Sequence, residues 1–73
     1  MNSHIFTLKD GTEFIPLDKL LKLMNLVASG GEAHAVIQEG LVQVNGATEL
    51  QKRKKMRAGD VAEFNGQRIE VKA

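Results

Sequence analysis

The stretch that most constrains the fold of this chain is residues 29–46, which read SGGEAHAVIQEGLVQVNG. Ser29 followed by Glu32 predicts a helix start, because the serine oxygen can accept from the Glu32 backbone N–H and the glutamate carboxylate can reach back to the cap. Gly40 suits the left-handed residue that ends a helix. Helical spacing predicts that the apolar face between them contains Ala33, Val36 and Ile37.

Two dipeptides, Asn45-Gly46 and Asn65-Gly66, predict tight hairpin turns between short apolar runs. A type I′ turn requires positive φ at both central residues, and Asn and Gly tolerate that conformation well. The predicted strands are residues 42–44, 47–50, 61–64 and 67–71.

The N-terminal residues predict a further hairpin. Residues 4–9 are rich in β-branched and aromatic side chains, which favour a strand. Asp10-Gly11 is a turn signal, and residues 12–15 are predicted to form the returning strand. Pro16 then ends the extended segment and can begin a helix, because its missing N–H costs nothing in the first turn.

A first helix is predicted over residues 17–25, with Asp18 near its N-terminus, where the helix dipole favours a negative charge. Its apolar face is predicted to contain Leu17, Leu20, Leu21 and Met24. Together these elements predict a single α+β domain of 73 residues, with two short helices packed on a small, mainly antiparallel sheet.

Composition narrows the class of protein. The chain contains no cysteine, so no disulfide reinforces it. Its first residues lack the basic start and apolar run of a secretory signal, and no apolar segment approaches the roughly 20 residues that span a bilayer. We therefore expect a cytoplasmic protein without a membrane partner.

The net charge is only +1, but the charge is unevenly distributed. Residues 1–40 carry three bases and five acids, whereas residues 41–73 carry seven bases and four acids. Five of the ten bases lie in residues 52–57, KRKKMR, which we call the basic segment. Its charged side chains are Lys52, Arg53, Lys54, Lys55 and Arg57.

Positive charges at this density repel one another, and an anionic partner would relieve the repulsion. RNA phosphates would do so while releasing counterions. A lone charge run is more often a solvated loop, and a localisation signal or contact with anionic lipid are the other functional interpretations. Met56 interrupts the run and is predicted to anchor it on the core. Lys19 and Lys22 could extend the positive surface or form an ordinary exposed helix face.

The three aromatic residues, Phe6, Phe14 and Phe64, all fall in predicted strands, where a core role is expected. Binding of single strands usually relies on aromatic side chains that stack on bases. This composition favours recognition of the phosphates and shape of folded or double-helical RNA.

No arrangement of residues indicates catalysis, a metal site or a cofactor. Ser29 is explained as a helix cap, and His4 and His34 are far apart in the sequence without a cysteine or a convergent carboxylate pair. His34 is predicted to lie on the exposed side of the second helix, near Gln38, as a bystander. Gly30-Gly31 lacks the Lys-Ser/Thr ending of a phosphate-binding loop.

The ordered blocks LDKLL at residues 17–21, SxxEA at 29–33, IxxGxVxVNG at 37–46 and GDV at 59–61 resemble the alpha-L RNA-binding motif. Small-subunit ribosomal protein S-four, pseudouridine synthases and bacterial tyrosyl-tRNA synthetases share this motif, which also occurs in small free-standing bacterial proteins. The resemblance implies that two helices and a following hairpin present one basic surface to structured RNA. It implies a motif core at residues 16–64, an N-terminal strand extension at 1–15 and a C-terminal strand at 65–73.

The resemblance also identifies candidate contacts. Asp18, Lys19 and Lys22 match the first-helix motif, and Arg57 matches a base commonly found before Gly-Asp. Three usually basic positions are occupied here by Pro16, Gly30 and His34, so the basic segment is expected to replace the lost charge. The predicted RNA-binding residues are Lys19, Lys22, Lys52, Arg53, Lys54, Lys55, Arg57 and Arg68.

The sequence therefore predicts a non-enzymatic protein that binds structured RNA of the ribosomal or transfer RNA class. The alternative is a protein-interaction adaptor associated with a ribosome or an RNA-modifying enzyme. A third possibility is a vestigial domain of such an enzyme, inactive without a catalytic subunit.

Overall fold

A computed structural model of the protein describes residues 2–73. It contains two helices and seven strands and confirms the predicted α+β architecture, with two short helices on a mainly antiparallel sheet. In chain order, the elements are β1 (Asn2–Thr7), β2 (Ile15–Pro16), α1 (Leu17–Leu23), α2 (Gly30–Gln38), β3 (Val42–Val44), β4 (Ala47–Thr48), β5 (Lys55–Met56), β6 (Val61–Phe64) and β7 (Gln67–Lys72).

The main sheet has five strands in the order β1-β7-β6-β3-β4. Strands β7, β6, β3 and β4 pair antiparallel with their neighbours, whereas β1 pairs parallel with β7. Strands β2 and β5 form a separate antiparallel pair. This small sheet joins the start of α1 to the basic segment.

The predicted N-terminal hairpin is wrong, although its turn is present. Gly11 has a φ of 82°, and the Thr12 backbone N–H donates to the Lys9 carbonyl at 2.9 Å. After this turn the chain leaves β1 and pairs Ile15 with Met56 in β5. The turn signal predicts a change of chain direction but does not identify the strand with which β1 pairs. β1 pairs with β7 through six residue pairs.

Each helix ends in a Schellman motif, in which a left-handed residue allows two backbone N–H groups to bond the last turn. In α1 this residue is Asn25, with a φ of 59°, so α1 ends at Leu23 rather than at the predicted Asn25. In α2 it is Gly40, with a φ of 78°, as predicted. The Leu41 N–H donates to the Val36 carbonyl at 3.1 Å.

The start of α2 confirms half of the predicted capping box. The Glu32 backbone N–H donates to the Ser29 hydroxyl oxygen at 3.2 Å. The Glu32 carboxylate accepts from the Ala28 N–H at 3.3 Å, rather than from the N–H of the cap residue. The carboxylate therefore holds Ala28, the residue before the cap, against the first turn of α2.

Both predicted hairpins are present. Asn45 and Gly46 have φ values of 52° and 84°, and Asn65 and Gly66 have 52° and 76°, as type I′ turns require. The second arm of the first hairpin is shorter than predicted, because β4 ends at Thr48.

One core joins the helices, the inner sheet face and the β2–β5 pair. Its buried members are Leu8, Ile15, Leu17, Leu20, Leu21, Val27, Ala33, Ile37, Val42, Val44, Met56, Ala62, Ile69 and Val71. Met24 and Val36, both predicted on apolar helix faces, are half-buried against it.

The Ser29 cap can be tested by substitution. We expect Ser29→Ala to lower the free energy of unfolding by about 1 kcal/mol, because the Glu32 N–H loses its acceptor. Urea denaturation followed by circular dichroism would measure the change. Ser29→Asp, which retains an acceptor at the cap, is the control. Equal stability of the alanine variant and the parent protein would contradict the cap assignment.

Candidate nucleic-acid interface

The basic segment is attached to the N-terminus of α1 by backbone hydrogen bonds. The Leu17 N–H donates to the Lys54 carbonyl at 2.9 Å, and the Asp18 N–H donates to the Lys52 carbonyl at 3.1 Å. Pro16, the residue before the helix, makes no side-chain cap bond. Two N–H groups that a helix leaves without intrahelical partners are therefore satisfied by the basic segment itself.

Met56 fixes the other end of the basic segment. Its side chain is fully buried, which confirms the predicted anchor. Met56 pairs with Ile15, and Lys55 pairs with Pro16, across β5 and β2. Because neighbouring side chains in a strand point to opposite sides, burial of Met56 leaves Lys55 exposed.

Phe14 links the basic segment to the N-terminal part of the chain. The Lys55 ammonium nitrogen lies 5.1 Å from the centroid of the Phe14 ring, and the Arg57 guanidinium carbon lies 5.8 Å from it. Both distances fall within the range of cation–π attraction. The prediction that Phe14 lies in a strand is wrong, since it precedes β2 in irregular backbone and is only half-buried.

The first-helix lysines lie beside this cluster. Lys19 and Phe14 line the same groove, and Lys22 follows Lys19 by one helical turn on the exposed side of α1. Lys19, Lys55 and Arg57 therefore lie around Phe14, and the backbone of the basic segment lies against the start of α1. We group these cations with Lys22 and call them the basic face. Its members are Lys19, Lys22, Lys52, Arg53, Lys54, Lys55 and Arg57.

Arg68 is not part of the basic face. It lies in β7 opposite Ser3 in β1 and Glu63 in β6. Its neighbour Ile69 is buried in the core, so Arg68 projects from the outer face of the sheet. Sequence position alone could not separate this arginine from the other bases.

Asp18 connects three elements at the edge of the basic face. Its carboxylate oxygen Oδ2 lies 2.8 Å from Nε2 of His34 in α2 and 3.9 Å from Nε of Arg53. Its other oxygen accepts from the Lys19 N–H at 2.9 Å. His34 does not lie free on the exposed side of α2 as predicted, because the Asp18 carboxylate of α1 binds it and its side chain is 35% exposed. Its role as a functional bystander stays a prediction.

Two residues near the basic face were missed from the sequence. The sequence predicts Phe14 in the core and does not identify Lys9 as an RNA contact, although Lys9 lines the same groove as Lys19. No local pattern marks Lys9. No local pattern marks Phe14 either, because the restriction that Pro16 imposes acts on Ile15 and favours extended backbone there.

Other polar groups have structural roles or are isolated. The His4 ring nitrogen Nε2 lies 2.8 Å from the Gln67 side-chain oxygen, across the β1–β7 pair. Within residues 2–73, no group of three or more His, Cys, Asp or Glu side chains could hold a metal ion. In the same part of the chain, neither helix is long and apolar enough to cross a membrane.

Comparison with known proteins identifies relatives over most of the chain. A family model described as the S4 domain matches residues 6–72. The Escherichia coli (strain K12) protein named "Putative RNA-binding protein YbcJ" is 42% identical over 59 residues, which are 81% of this chain and 84% of that protein. The Bacillus subtilis (strain 168) protein named "Probable ribosome maturation protein RlbA" is 38% identical over 55 residues, with 75% and 78% coverage.

A solved structure agrees with the fold. The solution structure of Escherichia coli YbcJ superposes with a TM-score of 0.72 and 39% sequence identity, covering 94% of this chain and 86% of that one. That structure is described as revealing an alpha-L motif involved in RNA binding. The two-helix arrangement on a mainly antiparallel sheet is therefore the alpha-L fold.

The contact between the two helices yields a prediction. We expect His34→Ala to lower the free energy of unfolding by about 1 kcal/mol, because it removes the hydrogen bond to Asp18. The matched control is Gln38→Ala, an exposed position one turn later on the same helix. Urea denaturation of both variants would measure the difference. Equal stabilities would indicate that the His34–Asp18 contact contributes nothing.

Proposed function

Because this chain belongs to the S4 domain family, we propose that it is a non-enzymatic protein that binds structured RNA through the basic face. The observation that carries this proposal is the attachment of the basic segment to α1 by the Lys54 and Lys52 carbonyls. These bonds support a shared site, because they hold the backbone of the segment against the helix that carries Lys19 and Lys22.

The attachment has an energetic consequence for binding. A flexible basic loop would lose backbone conformational entropy when it bound RNA. Here the backbone is already held by two hydrogen bonds, by the β2–β5 pair and by buried Met56. Only the side-chain ends remain to be ordered. The entropy cost of binding is therefore smaller, and the same phosphate contacts give a higher affinity.

The charges of the basic face are available to a partner. Lys52, Arg53, Lys55 and Arg57 are exposed. Arg53 has a carboxylate neighbour, but its side chain is 81% exposed and lies 3.9 Å from Asp18, and exposed pairs of this kind contribute little. Phosphates could therefore replace water around these cations without first breaking a strong internal salt bridge.

We further propose that the RNA belongs to the ribosomal or transfer RNA class. A-form helices offer regularly spaced phosphates and 2′-hydroxyls across a shallow minor groove, so proteins recognise them mainly by shape and backbone. A rigid surface with fixed cations suits that mode. The name of the Bacillus subtilis relative, which refers to ribosome maturation, supports ribosomal RNA or its precursors as the first RNAs to test.

Electrostatic binding predicts a strong dependence on salt. If about five phosphates are neutralised, RNA affinity should fall by at least on the order of a hundredfold between roughly 50 and 200 mM salt, taking the shallower single-strand slope. Fluorescence anisotropy with a labelled ribosomal RNA hairpin would measure this slope. Affinity that does not change with salt would exclude the phosphate-binding mechanism.

Charge reversal tests where the RNA binds. For the double variant Lys52→Glu/Lys55→Glu, we expect weaker binding and a salt slope reduced by about 1 for each lost phosphate contact. The matched control is Arg68→Glu/Lys72→Glu, which changes the net charge equally on β7, at positions that alternate with buried residues of the sheet. This control should retain most of the affinity.

The two charge-reversal variants separate a local site from general attraction. Equal losses in both would mean that net charge alone drives binding and would contradict the assignment to the basic face. Absence of salt-dependent RNA binding by the parent protein, with salt-insensitive association of both variants to a protein partner, would favour the adaptor alternative. Circular dichroism of each variant would verify that the fold is intact.

A further inference from the structure

The basic face borders an apolar groove that phosphate binding does not use. The groove has a volume of about 390 Å³, which lies within the size range of small-molecule pockets. We call it the Phe14 groove, and it is lined by Phe6, Leu8, Lys9, Thr12, Phe14, Ile15, Pro16, Lys19 and Leu23.

Several apolar side chains of this groove remain open to solvent. Phe6 and Phe14 are only half-buried, and Leu23 is 51% exposed. Buried Leu8 and Ile15 continue the apolar wall into the core. Two aromatic rings and an exposed leucine in one concave surface provide flat and apolar contact area that residues 2–73 leave uncovered.

All of the charged residues that line the groove are positive. Lys9 and Lys19 belong to its wall, and the Lys55 and Arg57 cations lie 5.1 and 5.8 Å from the Phe14 ring centroid. The matching occupant has a flat aromatic body and negative charge on either side. That is the chemistry of a nucleotide within an RNA chain, whose base is linked to two backbone phosphates.

We infer that the Phe14 groove binds one unpaired nucleobase of the RNA that contacts the basic face. This inference rests on the proposed function and deepens it by naming the feature that is recognised. The base contacts Phe14 and the apolar wall, while its flanking phosphates lie near Lys19, Lys55 and Arg57. The RNA would then be a helix with a bulge or loop, since RNA recognition often uses bases that have left the helical stack.

The test compares two RNA hairpins that differ at one position. One hairpin carries a single bulged adenosine, and the other pairs this adenosine with an added uridine. Fluorescence anisotropy should show that the parent protein prefers the bulged hairpin. Phe14→Leu should weaken binding to the bulged hairpin on the order of tenfold more than binding to the paired hairpin, the scale of one lost base–aromatic stack.

A matched variant controls for general effects of removing an aromatic ring. Phe64 is also half-buried against the core, but it lies in β6 and does not line the groove. Phe64→Leu should therefore leave the preference for the bulged hairpin unchanged. Equal loss of that preference in both variants would overturn the assignment of the base to the Phe14 groove.

A spectroscopic variant reports contact with the base directly. The chain contains no tryptophan or tyrosine, so Phe14→Trp introduces a single fluorophore into the groove. Stacking on a base should quench its emission with the bulged hairpin and not with the paired one. In the parent protein, nuclear Overhauser effects between adenosine protons and the Phe14 or Leu23 side chains should appear, which keeps the test independent of any substitution.

The outcomes distinguish this inference from the proposed function. If both hairpins bind the parent protein equally, Lys52→Glu/Lys55→Glu weakens both, and Phe14→Leu changes the two affinities by the same factor, the base site is overturned and RNA binding stands. If neither hairpin nor ribosomal RNA binds in a salt-dependent manner, both proposals fail. Groove resonances that shift only with an apolar peptide, and not with RNA, would also overturn the base site.

Discussion

The structure depends on the two hydrogen bonds by which the N-terminus of α1 donates to the basic segment. Leu17 and Asp18 supply the N–H groups, and the carbonyls come from Lys54 and Lys52. Pro16, the residue before α1, provides no side-chain cap, and distant backbone takes that role here. The same contact that completes the helix therefore holds a cluster of positive charge in place, and stability of the fold and geometry of the site share one origin.

Burial of Met56 explains how such a charged segment remains part of a small domain. Ordering a segment costs roughly 1–2 kcal/mol of backbone entropy per residue. The exposed cations around Met56 contribute little stability to offset this cost. A fully buried methionine in β5 offsets part of that cost through contacts with the core. The pairing of Ile15 with Met56 then brings Phe14 toward Lys55 and Arg57.

Two positions that are usually basic in the family have other structural roles in this chain. At one usually basic position, His34 binds the Asp18 carboxylate instead of adding a fixed charge to the surface. At another, Pro16 forms part of β2 and precedes α1. The positive charge is concentrated in the basic segment and α1, beside a groove that contains two phenylalanine rings. This arrangement places a positively charged surface beside an aromatic one.

Features that arise from contacts between near neighbours follow directly from the amino-acid sequence. The Ser29 cap, the left-handed Gly40, both Asn-Gly turns, the apolar helix faces and the basic segment were all predictable, because side-chain chemistry and allowed φ values specify them locally. Tertiary packing, by contrast, establishes the parallel pairing of β1 with β7, the β2–β5 pair, the His34–Asp18 contact and the position of Phe14. Backbone N–H and carbonyl groups are the same in every strand, so local patterns do not identify a distant partner. Burial of the shared core selects that partner when the whole chain folds.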